Sequence, residues 1–238
     1  MTLEVLDDVD SVARHAAEVM ATEARAAVRA RGWFTVAISG GRTPWVMLRA
    51  LSERDDVPWQ NVHLLQVDER VAPADHADRN LTHLRETLLA RSQAGAAQIH
   101  AMPVERDDLD EAATRYAQTL ADIAGSPPVI DLVHLGLGPD GHTASLVPGD
   151  PVLDITDADV ALTGLYQGRR RMTLTYPILN RARGVLWLIT GEDKAGMLVR
   201  LSRGDPGIPA GRVRQDQAVV IADRAAAQRL ETARPIGE

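Results

Sequence analysis

Asp140 and His142 stand two positions apart in the run Gly138-Pro139-Asp140-Gly141-His142-Thr143. A neutral imidazole can take a proton from water near neutral pH, and a carboxylate within reach can hold its tautomer and stabilise the imidazolium. The pair is therefore a candidate general base with its partner. Three other segments could hold what such a base acts on. Ser39-Gly40-Gly41-Arg42-Thr43-Pro44 joins two glycines and a hydroxyl residue to a helix start, so its backbone N–H groups can cradle an anion with little obstruction. Asp68-Glu69-Arg70 sets a guanidinium, a planar fork for phosphate oxygens, beside two acids that can hold the fork or bind sugar hydroxyls. Lys194 falls in the first turn of a helix, where the macrodipole disfavours a cation; a bound anion would justify it, as would the neighbouring Glu192 and Asp193.

Each segment also has a plainer explanation. Residues 39–44 suit a tight strand-to-helix turn, residues 68–70 suit solvated loop charge, and His142 suits an exposed loop position. Arg169-Arg170-Arg171 reads in part as a solvated patch; in an alternating strand Arg169 and Arg171 share a face and Arg170 takes the other. Gly136-Leu137-Gly138-Pro139-Asp140-Gly141 spells the dinucleotide-binding pattern. Pro139 and His142 interrupt the turn into a helix that a pyrophosphate needs, and no strand-end acid follows at the usual distance, so that reading is rejected. His15, His63, His76, His83, His100 and His134 have no comparable setting and read as structural.

The case for function rests on the elements that must position these segments. Apolar runs of strand length alternate with longer stretches of helical period, the pattern of a mainly parallel sheet covered by helices. Strands are expected at 3–6, 33–38, 62–67, 99–102, 129–135, 184–190 and 218–222. Helices are expected at 10–31, after Pro44, and at 81–90, 109–124 and 192–201, with one more closing the chain. Asp10 or Ser11 can cap the first of these helices and Asn80 the one at 81–90. Strands near 160–165 and 171–175 alternate and can form an antiparallel edge. The fold expected is α/β, a mainly parallel open sheet flanked by helices, Rossmann-like, in one domain over residues 1–238. In such a sheet ligands sit beyond the carboxyl ends of the strands, where loops and helix N-termini aim their N–H groups at one crevice. Residues 39–44, 68–70, 136–143 and 191–194 all follow strands. Arg70 and His142 must then face the same hollow.

Composition narrows the chemistry further. The chain of 238 residues has no cysteine, which excludes a disulfide framework, a thiolate metal site and a cysteine nucleophile, and fits a reducing compartment, the cytoplasm. Acids near the N-terminus and the lack of a long apolar run argue against export or a membrane span. A net charge of −7 and few aromatic residues argue against nucleic acid as a partner.

Taken in order through nearly the whole chain, these segments resemble the 6-phosphogluconolactonases, which share their fold with the glucosamine-6-phosphate deaminases. The stretch Gly138-Pro139-Asp140-Gly141-His142-Thr143-Ala144-Ser145-Leu146 is the most specific, supported by Ser39-Gly40-Gly41, Asp68-Glu69-Arg70, Asn80-Leu81, Arg171-Met172-Thr173-Leu174-Thr175 and Gly191-Glu192-Asp193-Lys194. The resemblance implies hydrolysis of 6-phospho-D-glucono-1,5-lactone in the oxidative pentose phosphate pathway, with neither metal nor redox cofactor. It implies His142 as general base, with Asp140 its partner. It implies Arg70 and Arg171 as phosphate contacts and Gly40, Gly41 and Thr43 as the turn lining the site; Arg42, Asp68, Asn80, Gly138 and Lys194 complete the substrate-binding set expected here. Arg42 stands where the family usually has Ser. Leu165-Tyr166-Gln167-Gly168-Arg169-Arg170 replaces a Lys-Pro-Pro-rich segment, so that Arg42, Arg169 or Arg170 is left to take the place of the lysine. Two rival readings are a glucosamine-6-phosphate deaminase or isomerase and a non-catalytic sugar-phosphate sensor. The first expects a Glu soon after the Asp-Gly-His segment, where this chain reads Thr143-Ala144-Ser145-Leu146-Val147-Pro148-Gly149-Asp150; the second expects a DNA-binding segment. Oligomeric state is not legible in the residues.

Overall fold

A computed structural model describes residues 1–89 and 92–230. In chain order the elements are β1 (Thr2–Leu6), α1 (Val9–Arg31), β2 (Phe34–Ile38), α2 (Arg42–Ser52), β3 (Val62–Gln66), β4 (Asp68–Arg70), α3 (Asn80–Leu84) and β5 (Gln98–His100). They continue with α4 (Leu109–Ala124), β6 (Leu132–Gly136), β7 (Val160–Leu162), β8 (Arg171–Leu174), α5 (Tyr176–Arg181), β9 (Gly184–Ile189), α6 (Ala195–Ser202), β10 (Ala218–Asp223) and α7 (Arg224–Ala227). Seven strands form one sheet in the order β1-β10-β9-β6-β2-β3-β5, and every pairing in it is parallel. Its central strands are continuous apolar runs because helices cover both faces. One core cluster joins α1 and α2 to β2 and β3; the other joins α4, α5 and α6 to the opposite face. Among the described residues no helix is long and apolar enough to cross a membrane.

The helical pattern is read with small corrections at its ends. Asp8, in extended conformation, caps α1 and accepts from the Ser11 N–H at 2.8 Å, so neither Asp10 nor Ser11 is the cap. An aspartate three residues ahead of a free N–H is placed to satisfy it, whereas Asp10 already lies inside the first turn. Gly32 closes the helix at φ 86°, a left-handed position that a side chain disfavours. Asn80 is likewise not a cap but the first residue of α3, with Arg79 before it. The buried carboxylate of Glu69 accepts the N–H groups of Asn80 and Leu81, each at 2.8 Å, and so leaves the Asn80 side chain for another task. A π-helical turn, Arg85–Leu89, continues α3, and position 90 of the helix expected at 81–90 lies outside the described residues.

A larger difference concerns the antiparallel strands. Residues 160–162 and 171–174 do not edge the main sheet but join β4 in a separate three-stranded sheet, in the order β4-β8-β7. Asp68-Glu69-Arg70 is thus a strand rather than a loop, because the chain leaves β3 through Val67 and pairs at once with β8. The register sets Arg70 directly opposite Arg171.

Candidate active site

The carboxyl ends of β2, β6 and β9 open into a hollow of about 530 Å³, closed on one side by the small sheet. Eleven of the twelve residues expected to bind or to catalyse line this hollow. Gly40, Gly41, Arg42 and Thr43 line the hollow from the turn between β2 and α2. Gly138 and His142 line it from the loop after β6, Lys194 from the loop after β9, and Asp68, Asn80, Arg70 and Arg171 from the small sheet and α3. Asp140 lies behind His142 rather than on the wall, with its Oδ1 2.5 Å from His142 Nδ1. That contact leaves Nε2 of the imidazole for a ligand or water. Burial pushes the Asp140 carboxyl up, but the His142 N–H and the nearby imidazole charge outweigh it and hold the group below its ordinary value. It stays ionised, as a partner for an imidazolium must.

A glycine is required on either side of this arrangement for steric reasons. A Cβ on Gly138 would fall 2.1 Å from His142 Nδ1, and one on Gly40 would fall 2.0 Å from Asn80 Oδ1. Neither approach is possible with a side chain present, so the two glycines admit the imidazole and the amide to their places.

The basic side of the hollow is built on buried carboxylates. Arg70 Nη1 donates to Asn80 Oδ1 at 2.9 Å and to the Asp78 carbonyl at 2.7 Å. Asn80 Nδ2 in turn donates to the Asp68 carbonyl at 3.0 Å. Asp68 accepts from Ser145 Oγ at 2.6 Å and lies 3.9 Å from Arg171 Nη1. Beneath them Glu69, fully buried, accepts four hydrogen bonds, from Gln66 Nε2 and the N–H groups of Arg70, Asn80 and Leu81, and pairs with Arg79 Nε at 3.1 Å. The Nε atoms of both Arg70 and Arg171 are buried with no hydrogen-bond partner among the described residues. Lys194 pairs with Asp193 at 3.0 Å, and Thr43 Oγ1 meets Thr190 Oγ1 at 2.6 Å, tying the turn after β2 to the loop after β9.

Of the basic residues weighed as replacements for a lysine, Arg42 lines the hollow. Arg169 pairs instead with Asp78 at 2.7 Å and Arg170 Nε reaches the Thr163 carbonyl at 3.5 Å; neither lines the hollow. His134, read as structural, accepts the Ser39 N–H through Nδ1 at 3.3 Å, and burial lowers it to about 3, so it supports the turn as a neutral ring. Ser145, Arg79, Gln167 and Tyr166 escaped the sequence reading. Ser145 was visible only as part of the longest motif, and Arg79 as the residue before Asn80. Tyr166 sits beside a Gln-Gly turn in a chain poor in aromatics, and that rarity is the only signal it carried. Among the described residues, no three His, Cys, Asp or Glu side chains gather as metal ligands.

Fold and site together define an α/β protein of the kind that presents a histidine–aspartate pair and a cluster of arginines to one hollow at the carboxyl edge of a parallel sheet. Residues 7–222 match the family described as glucosamine-6-phosphate isomerases/6-phosphogluconolactonase. A 6-phosphogluconolactonase of Synechocystis sp. is 36% identical over 225 residues, covering 92% of this chain and 93% of its own. The crystal structure of a 6-phosphogluconolactonase from Shewanella baltica superposes with a TM-score of 0.84 at 26% identity, covering 94% of this chain and 97% of that one. A monomeric glucosamine-6-phosphate deaminase shares the fold, with a TM-score of 0.82 at 18% identity over 96% of this chain and 99% of its own. The chain belongs to the glucosamine-6-phosphate isomerase/6-phosphogluconolactonase family.

Proposed function

We propose that this chain hydrolyses 6-phospho-D-glucono-1,5-lactone to 6-phospho-D-gluconate, the lactonase step of the oxidative pentose phosphate pathway, in the cytoplasm and without metal or redox cofactor. The observation that carries the reading is the cross-strand pair Arg70–Arg171 on the wall of a hollow that also holds His142. Like charges directly opposite in an antiparallel pair repel each other. A phosphate dianion between them turns that repulsion into two charge-assisted contacts.

With the 6-phosphate held there, the lactone ring extends toward His142. Nε2 of His142 takes a proton from water as the water oxygen attacks C1, and the carbonyl electrons move onto the carbonyl oxygen. The ionised carboxylate of Asp140, in contact with Nδ1, stabilises the imidazolium. The tetrahedral intermediate collapses, the C1–ring oxygen bond breaks, and the imidazolium returns its proton to the departing ring oxygen. A lactone is an activated ester with a tethered leaving group, so general-base assistance of roughly 10²–10⁴-fold together with positioning suffices.

The test is a coupled assay on freshly generated lactone against a no-enzyme control, since this ester opens spontaneously, with a parallel incubation on glucosamine 6-phosphate. Accelerated formation of 6-phosphogluconate and no ammonia is the expected result. No acceleration over the control overturns the reading, and ammonia from the aminosugar would replace it with the deaminase.

A further inference from the structure

The hairpin between β7 and β8 closes on a two-residue turn. Tyr166 and Arg169 exchange backbone hydrogen bonds of 2.9 and 3.2 Å around Gln167 and Gly168, whose φ angles are 52° and 77°. Two left-handed central residues match the twist of the flanking strands and aim the residue before them across the sheet. Here that residue meets both halves of the site. The Tyr166 hydroxyl donates to Asp140 Oδ2 at 3.3 Å and lies 3.5 Å from His142 Nδ1. Its ring stands edge-on to the imidazole, with centroids 5.5 Å apart at 66°. The guanidinium of Arg171 lies over the same ring, 4.9 Å from its centroid, and is held from the next residue by Gln167 Oε1, which accepts from Nη2 at 3.1 Å.

We propose that Tyr166 is a positioning residue that fixes the general-base pair and the anion clamp relative to each other from the hairpin tip, its hydroxyl holding the second oxygen of Asp140 and its ring face holding Arg171. Asp140 Oδ1 is committed to His142, and Oδ2 accepts from Tyr166, so the carboxylate has no freedom to turn away from the imidazole. The hydroxyl also spreads the carboxylate charge, which tempers the pull of Asp140 on an imidazolium. The groups that face His142 are Asp140 on its own loop and Tyr166 on the hairpin, with Arg171 behind the Tyr166 ring; Asp193 and Lys194 line the same hollow from the loop after β9.

Two variants separate the two contacts. Tyr166→Phe keeps the ring and removes the hydroxyl; Tyr166→Leu removes both. The kinetic readout rests on the lactonase reading, whereas the titration of the His142 ring followed by NMR does not. For Tyr166→Phe the expected result is kcat lowered about threefold to tenfold with KM within about twofold, the loss of one ordinary hydrogen bond. Its His142 ring signals differ from those of the parent through the titration, because a carboxylate relieved of its donor meets the imidazole differently. Tyr166→Leu is expected to raise KM in addition, by about threefold to tenfold, as Arg171 loses the ring. A Tyr166→Phe protein that titrates and turns over like the parent overturns the role of the hydroxyl. A Tyr166→Leu protein with the KM of the Phe variant overturns the role of the ring. If the parent itself leaves the lactone untouched, the lactonase reading fails, and the ring titration of parent and Phe variant still decides the hydroxyl contact.

Discussion

The two halves of the hollow are built in opposite ways. The proposed base, His142, is oriented by a carboxylate two residues away, within one glycine-bounded loop, and the pair is partly open to solvent. The proposed clamp takes Arg70 from β4 and Arg171 from β8, more than a hundred positions along the chain, and rests on Glu69 and Asp68, which are almost wholly buried. A proton-transfer group must meet water, so its partner can be local and exposed. A cluster of guanidiniums needs counter-charge in fixed geometry, and that is obtained by burying carboxylates whose every oxygen is already occupied. The contrast predicts that damage to the loop is felt in turnover and damage beneath the clamp in folding.

The largest effect expected is on chemistry alone. His142→Asn should lower kcat by about 10²–10⁴-fold while titration with 6-phosphogluconate shows affinity close to that of the parent. An equal loss of affinity would mean that the loop also carries the clamp. Next, Glu69→Gln leaves the buried Arg79 with Glu105 as its carboxylate partner, at 2.6 Å, and sets an amide N–H against backbone donors, and urea unfolding should show a loss of about 3 kcal/mol. A stability change below 1 kcal/mol, roughly the worth of an exposed pair, would show that the buried carboxylate is not the foundation described.

The two glycines sharpen the same division. Gly138→Ala displaces His142 and should lower kcat by up to about 100-fold; Gly40→Ala displaces Asn80 from Arg70 and should act chiefly through KM. Steady-state kinetics that show the same parameter changed in both would erase the distinction. A smaller effect belongs to His134, neutral when folded because burial lowers it to about 3. The unfolded chain binds a proton there below about pH 6.5 and the folded chain does not, so stability is full above that value and declines as pH falls toward 3. Between pH 6.5 and 5 the decline attributable to this ring is about 2 kcal/mol, and urea titrations at the two pH values should show it disappear in His134→Asn. Smallest of all, Arg169→Ala removes an exposed pair with Asp78 and should change stability by less than about 1 kcal/mol and KM hardly at all, unlike Arg171→Ala.

The parts of the site legible in the residues were those with local causes. The turn at 39–44, the loop at 138–143 and the helix start at Lys194 are each marked by glycine and charge within a few positions, the first two by proline as well, and the order of strands and helices follows from hydrophobic period. The end of α1 at Arg31 was legible for the same reason, since Gly32 follows it. The caps at Asp10 or Ser11 and at Asn80 were misassigned because a cap is chosen by which N–H groups are free: Asp8 is placed for that of Ser11, and Glu69 had already taken those of α3.

By itself, then, the sequence determined the class of fold, the loops that line the hollow, and the adjacency of Asp140 and His142. The separate small sheet, the placement of Arg70 opposite Arg171, the burial of Glu69 beneath them and the reach of Tyr166 across the hollow were decided only in three dimensions. Hydrophobic period and turn chemistry act over a few residues, whereas strand register is set by the packing of segments that the chain brings together from far apart.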